Sequence, residues 1–243
     1  MQAPGPQIAV VQHEDACPLG LFAGWLRAAG ADVAITRPYR GEPLPSLADI
    51  DGLIVLGGSV SATDDGRAPW LSAVRDLLAA AVAASRPTLG ICLGHQLLAV
   101  ACGGEVERNP SGKQMGALPI GLLSAAGADR LLGPLAGGPP PVSIQWNDDI
   151  VVRLPPGAEL LAATPDGVPQ ALRLGDAAWA VQFHPEVDAG VVTAWAEEHG
   201  PPTPAQLAAL AAIADRAAAT GATGRALASG FAVVAADRAR MAG

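Results

Sequence analysis

The chain has 243 residues, half of them hydrophobic, and a formal net charge of −8 at pH 7. This length permits one large domain with an appendage, and the composition is sufficient for a sizeable core. Neutralising the phosphates of a nucleic acid requires clustered lysine and arginine, and Lys113 is the only lysine in the sequence. We therefore expect a small-molecule substrate and no nucleic-acid partner.

The cysteine count and the N-terminal segment indicate the compartment. Cys17, Cys92 and Cys102 are an odd number without regular spacing, which fits a reducing environment better than a disulfide framework. The first residues lack a basic start and a long apolar run, so we expect no secretory signal. No uninterrupted apolar stretch of about 18 residues is present, so we expect no membrane span. These features predict a cytoplasmic protein.

The first hundred residues alternate between strand and helix patterns. The predicted elements are, in order, strand 8–11, helix 19–29, strand 32–35, strand 53–56, helix 70–84, strand 88–91 and helix 95–102. Such alternation predicts an α/β fold with a doubly wound, mostly parallel sheet and helices on both faces. Functional groups in these folds gather at the carboxyl ends of the strands.

The middle of the chain has a different pattern. Residues 105–120 and 142–183 hold short strand candidates divided by turns that contain proline and glycine. They predict a small antiparallel sheet at one edge of the main sheet, and the apolar run 177–183 predicts a buried strand. The Gly- and Pro-rich segment 133–141 predicts a loop.

The last part of the chain predicts helices. After a proline-rich break, two alanine-rich segments predict helices over 204–220 and 224–240, separated by Gly221. We therefore predict one domain over residues 1–200 and a C-terminal helical extension over 201–243 that packs on the same domain.

One short segment predicts a nucleophile. The strand 88–91 leads directly into Cys92, with Gly90 two residues before it, Gly94 two residues after it, and a helix pattern following. This is typical of a nucleophile elbow, a sharp strand-to-helix turn that presents one side chain above the sheet. A thiolate at the start of a helix is stabilised by the helix dipole. Cys92 is therefore the candidate nucleophile.

A second segment supplies the partners that a thiolate needs. His184 and Glu186 follow the predicted strand 177–183 and are two residues apart, so both side chains can lie on one side of an extended chain. A histidine beside a thiolate acts as general base and then as general acid. A carboxylate behind the histidine fixes its tautomer and stabilises the imidazolium.

Three segments together resemble a known family. Residues 90–96, 183–186 and 51–61 are similar to motifs of the class I, triad-type glutamine amidotransferases, and they occur in the family's order. The resemblance covers roughly residues 7–196 and is greatest to stand-alone members related to the glutaminase domain of GMP synthase. It implies a flavodoxin-like fold.

The resemblance also implies a reaction. Cys92, His184 and Glu186 would form the triad, and Cys92 would attack the side-chain amide of L-glutamine to give a thioester. The backbone N–H groups of Gly58 and Leu93 would form the oxyanion hole. The products would be glutamate and ammonia, with the ammonia passed to a separate acceptor-activating synthetase.

Substrate-binding residues are also carried over from the resemblance. Gln96 matches a glutamine that contacts the substrate in this family, and Gly57 belongs to the glycine turn. Gln145, Trp146 and Asn147 match a loop that lines the glutamine pocket. The family usually has histidine where Asn147 stands, so the identity of the accepted γ-glutamyl compound is open.

Other functions compete with this one. A γ-glutamyl hydrolase or peptidase on the same scaffold would use the same triad. A cysteine α/β-hydrolase would need an acid between nucleophile and histidine, such as Asp166 or Asp176, and a non-catalytic module would need none of these groups. The sequence holds no zinc-binding or nucleotide-binding motif, so we expect no metal and no cofactor.

Overall fold

The computed structural model describes residues 5–198 and 200–242, which form eleven strands and seven α-helices. The strands are β1 (Gln7–Val11), β2 (Asp32–Thr36), β3 (Gly52–Val55), β4 (Thr88–Ile91), β5 (Glu105–Arg108), β6 (Gln114–Pro119), β7 (Val142–Asn147), β8 (Asp149–Arg153), β9 (Glu159–Ala163), β10 (Pro169–Leu174) and β11 (Ala178–Val181). The helices are α1 (Phe22–Ala28), α2 (Leu71–Ala83), α3 (Leu93–Ala101), α4 (Gly133–Ala136), α5 (Ala189–Glu197), α6 (Pro204–Asp215) and α7 (Ala217–Ala242). None of these helices is both long and apolar enough to cross a membrane.

A seven-stranded sheet organises the fold. Its order is β2-β1-β3-β4-β11-β10-β9. The first five strands in this order are parallel, and β10 and β9 continue the sheet in antiparallel pairs. Two separate antiparallel pairs, β5 with β8 and β6 with β7, lie beyond it. The predicted α/β architecture is therefore confirmed.

Both faces of the sheet are covered, which explains why its strands are almost wholly apolar. Along β1, Ile8 and Val10 face one core, while Ala9 and Val11 face the other. Helices α1 and α7 cover the first face, and α2 and α3 cover the second. A third apolar cluster joins the β6–β7 pair to α5 and α6.

Three local predictions were wrong. The predicted loop 133–141 contains the short helix α4, which has proline near its start, where a missing N–H costs nothing. The break between the tail helices falls at Arg216, and Gly221 lies inside α7, whose packing outweighs the low helix propensity of glycine. The predicted strand 177–183 ends at Val181, after which the chain leaves the main sheet.

Helix α7 packs closely against the segment that carries the histidine and the glutamate. A Cβ at Gly224 would collide with the carbonyl oxygen of Pro185 and would lie 2.7 Å from the Trp25 ring. Farther along α7, Leu227 and Phe231 are fully buried in the core. The last helix therefore contributes both to the core and to the support of residues 184–186.

The two glycines of α7 provide a matched test of this packing. Gly224→Ala is expected to lower the free energy of unfolding by about 1–3 kcal/mol, because the added methyl group has no space. Gly221→Ala, where a Cβ would meet nothing within 4 Å, should raise it by about 0.5–1 kcal/mol through helix propensity. Urea unfolding of both variants measures the difference, and equal stabilities would contradict the close contact.

Candidate active site

The backbone at Cys92 is strained. Cys92 has φ 51° and ψ −103°, a conformation that non-glycine residues rarely adopt, and it stands at the start of α3. Its N–H donates to the carbonyl of Val181, which ties the turn to β11 at 2.9 Å. A Cβ at Gly94 would collide with the carbonyl oxygen of Val55, so only glycine allows α3 to start so close to β3.

His184 and Glu186 form a buried pair beside this turn. The imidazole Nδ1 lies 2.8 Å from a carboxylate oxygen of Glu186, and the two residues are 3% and 2% exposed. The main chain holds both residues in place, because His184 donates its N–H to the Ile144 carbonyl, and Leu21 donates its N–H to the Glu186 carbonyl. The pair is therefore fixed before any ligand binds.

The charges around His184 favour its protonated form. Burial disfavours the imidazolium, but Glu186 and Cys92 outweigh that effect and raise the pKa of His184 to about 10. Because Nδ1 is engaged by Glu186, Nε2 is the nitrogen left to exchange a proton with Cys92. A Cβ at Gly57 would lie 3.0 Å from the imidazole Cε1, so this glycine borders the pair directly.

Gly58 and Leu93 lie next to each other in the structure. A Cβ at Gly58 would lie 2.8 Å from a methyl group of Leu93 and 3.2 Å from the Cβ of His13. Leu93 is the first residue of α3, and the N–H groups of a first helical turn have no partner within the helix. Among the described residues, the N–H of Gly58 also donates to no protein acceptor. Gly58 also lines the cavity described below.

Cys92 and His184 open into a cavity of about 620 Å³. Gly58, Gln96, Trp146 and Asn147 also line it. The charged lining residues are mostly acidic; they are Glu14, Asp64, Glu107, Asp148, Asp149, Glu198, Arg67, Arg108 and Lys113. Such a wall suits a ligand that carries a cationic group.

The structure brings most of the predicted substrate residues to this cavity. Gln96 donates from its side chain to the Asp149 carbonyl at 3.0 Å, and Asn147 donates to the same carbonyl at 3.1 Å. The carbonyl oxygen Oδ1 of Asn147 is buried without a partner in the described chain. Trp146 is stacked under Lys113, whose ammonium lies 4.9 Å from the ring centre.

The cavity lining lacks two of the predicted substrate residues, Gly57, which borders the His184 ring, and Gln145. The segment predicted as a loop is the end of strand β7, and the Gln145 side chain is buried and donates to Gln170 on β10 at 2.5 Å. This bond keeps Gln145 among the residues behind the cavity. A motif alignment cannot distinguish a residue that lines a pocket from one that packs behind the pocket, because the direction of the side chain depends on how the strands pair.

Two residues near the pair were not predicted. The side-chain amide of Gln182 donates to the Cys92 sulfur at 3.7 Å, and the indole of Trp195 packs 4.9 Å from the His184 ring. Gln182 stands two residues before His184, and this spacing could have indicated it. Trp195 lies on α5 and has no comparable signal in the sequence.

The acid that the competing hydrolase would need does not lie beside the histidine. Asp166 and Asp176, which a cysteine α/β-hydrolase would need, are exposed in turns, whereas the histidine Nδ1 is bonded to Glu186. This arrangement disfavours that alternative. Residues 5–198 and 200–242 contain no group of three or more metal-binding side chains.

Comparison with known proteins identifies the family. The family model described as glutamine amidotransferase class-I matches residues 23–194. The putative glutamine amidotransferase-like protein YfeJ of Salmonella typhimurium is 34% identical over 185 residues, which cover 74% of this chain and 75% of that protein. A glutamine amido transferase from Methylobacillus flagellatus has a solved structure that aligns over 95% of each chain, with a TM-score of 0.82 and 26% identity.

The chain therefore belongs to the class I glutamine amidotransferase family, as the sequence motifs predicted. It is also 33% identical over 169 residues to the glutamine-hydrolyzing GMP synthase of Pyrobaculum aerophilum. That match covers 69% of this chain and only 30% of the larger enzyme.

The His184–Glu186 pair can be tested by removing one charge. Glu186→Gln keeps the side-chain volume, and we expect the pKa of His184 to fall from about 10, because Cys92 alone then opposes the effect of burial. NMR titration of the imidazole measures this shift. Turnover of glutamine should fall by about 10²–10⁴-fold, as it does when a tautomer-fixing acid is lost.

The matched control for this variant is Glu105→Gln. Glu105 is exposed on β5 and paired with Arg153, outside the cavity. This variant should leave both the pKa of His184 and turnover unchanged. A Glu186→Gln protein with wild-type turnover would rule out a role for the pair in catalysis.

Proposed function

We propose that this protein is a glutaminase that hydrolyses the side-chain amide of L-glutamine to glutamate and ammonia, with Cys92, His184 and Glu186 as its catalytic triad. The observation that carries the proposal is the buried 2.8 Å contact between His184 and Glu186 beside a cysteine on a strained turn. Family membership supports the same reaction class.

In the first half of the reaction, the thiolate of Cys92 attacks the amide carbon of the substrate. Negative charge develops on the former carbonyl oxygen, and the N–H groups of Gly58 and Leu93 donate to it. Donors of this kind typically contribute about 10²–10³ in rate each. The imidazolium of His184 gives its proton to the departing nitrogen, which leaves as ammonia.

The second half of the reaction releases glutamate. Neutral His184 takes a proton from water, and the resulting hydroxide attacks the thioester. The carbon–sulfur bond breaks, the product leaves as the γ-carboxylic acid and loses its proton to water, and the Cys92 thiolate and the imidazolium are restored. Glu186 remains ionised throughout and stabilises the imidazolium.

We further propose that the ammonia serves a separate synthetase. Two relatives support this proposal: a glutamine-hydrolyzing GMP synthase subunit from Saccharolobus solfataricus is 31% identical over 166 residues, and an aminodeoxychorismate synthase of Streptomyces griseus is 33% identical over 180 residues. The match covers 78% of the first protein and 23% of the second. The acceptor itself is left open by these similarities.

A second candidate is hydrolysis of a larger γ-glutamyl amide by the same triad. The cavity volume of about 620 Å³ favours it, because cavities of about 300–1,000 Å³ enclose drug-sized ligands, which are much larger than glutamine. Asn147 replaces the histidine usual in the family and lines this space. Both features affect the choice of substrate and leave the triad intact.

The first experiment measures glutamate release from L-glutamine by the purified chain. We expect release from the wild type and none from Cys92→Ala, because the thioester cannot form without the thiolate. Cys102→Ala is the control, since Cys102 lies at the end of α3 and outside the cavity, and it should retain activity. Substantial release by Cys92→Ala would remove Cys92 from its proposed role.

The same proteins distinguish the two candidates. Ratios of kcat/KM are compared for L-glutamine and a series of γ-glutamyl amides with larger amines. A glutaminase should prefer glutamine, because only its amide releases ammonia. A preference of tenfold or more for a larger amide, lost in Cys92→Ala, would select the second candidate.

A further inference from the structure

Gln182 is a buried polar residue that the proposed mechanism does not use. It follows β11 directly, is fully buried, and lies on the path from Val181 to His184. Its main chain is fixed, because its N–H donates to the carbonyl of Gln170 on the neighbouring strand at 2.9 Å. A polar side chain buried at this point needs hydrogen-bonding partners.

We propose that Gln182 is a further catalytic residue, whose side-chain N–H donates to the thiolate of Cys92 and stabilises it for attack. The proposal rests on the proposed role of Cys92 as nucleophile. Its direct basis is the distance of 3.7 Å between Nε2 of Gln182 and the Cys92 sulfur, which is a hydrogen-bonding distance for sulfur.

The orientation of the Gln182 amide follows from its other neighbours. Its carbonyl oxygen lies 3.3 Å from Nε2 of Gln96 and 3.3 Å from Nδ1 of His95. A carbonyl oxygen only accepts hydrogen bonds, so both neighbours must donate to it. With the oxygen held by two donors, the NH₂ group is the end that faces the sulfur.

His95 is suited to this positioning role. It is fully buried, and burial lowers its pKa to about 4, so the ring is neutral at physiological pH. The neutral ring must carry its proton on Nδ1 to donate to Gln182. Gln96 is fixed in turn by the hydrogen bond to the Asp149 carbonyl. The two donors are therefore themselves held by the surrounding protein.

The groups around the sulfur have distinct tasks. His184, bonded to Glu186, approaches from the segment after β11, and Leu93 at the start of α3 adds an N–H that has no partner within the helix. Cys17 faces the site from the connection between β1 and α1, and burial raises the pKa of its thiol, so it stays neutral. Gln182 adds a donor that carries no charge and exchanges no proton. It can therefore stabilise the thiolate before attack and again when the carbon–sulfur bond breaks, whatever the protonation state of His184.

Two substitutions test whether the Gln182 side chain donates a hydrogen bond to the sulfur or only packs against it. Gln182→Glu keeps the shape and the oxygen that accepts from Gln96 and His95, but it places a second oxygen against the sulfur. Gln182→Leu removes all three hydrogen bonds. The rate at which iodoacetamide alkylates Cys92 is measured at a series of pH values. Mass spectrometry of the peptide that contains Cys92 distinguishes this reaction from alkylation of Cys17. The kcat and KM of each protein are measured as well.

We expect both variants to need a higher pH for half-maximal alkylation and to lose about tenfold or more in kcat, with KM changed less than threefold. Hydrogen bonds to a charged group typically have effects of this size. Gln170→Leu is the control, because Gln170 is equally buried on β10 and its side chain bonds only other side-chain amides. It should lose stability but keep the wild-type alkylation profile.

The outcomes are decisive even if one variant fails to fold. If Gln182→Leu unfolds, Gln182→Glu still decides, because it preserves the buried acceptor. A wild-type alkylation profile in Gln182→Glu would overturn the proposal, whatever its activity. Alkylation at Cys92 that leaves the wild-type enzyme active would instead overturn the proposed nucleophile, so the two failures are distinguishable.

Discussion

The close approach of α3 to the end of β3 is the constraint on which the site depends. Glycine at position 94 lets the helix start against the Val55 carbonyl, and Cys92, two residues earlier, has a positive φ in the turn that leads into the helix. The strained residue is over-determined by the sheet on one side and the helix on the other. The sulfur therefore has a defined position at the start of α3, next to the N–H of Leu93, which has no partner within the helix.

The histidine and the glutamate are held by distant parts of the chain. The carbonyl of Ile144 on β7 accepts from His184, the N–H of Leu21 before α1 donates to Glu186, and Gly224 on α7 packs against the proline between them. A single segment of three residues thus joins three regions of the fold. This explains how a helix near the C-terminus, beyond the residues that the family model matches, can support the site.

Amide side chains connect the nucleophile with the wall of the cavity. Gln182 contacts the sulfur and Gln96, and Gln96 and Asn147 share the carbonyl of Asp149 as acceptor. A change at the substrate wall can therefore reach the sulfur through hydrogen-bond geometry alone. The charged residues of the same cavity are mostly acidic.

The sequence by itself determined the order of strands and helices in the parallel half and the motifs of the site, because these depend on local periodicity and on spacings of a few residues. It could not give the end of β11, the helix break at Arg216 or the support of Gln145 by Gln170, which follow from strand pairing and packing. Only the tertiary structure brought residues 92 and 184 together and revealed the contact of Gln182 with sulfur. Contacts between residues about ninety positions apart depend on how the strands are ordered in the sheet, and one sequence holds no local signal for that order.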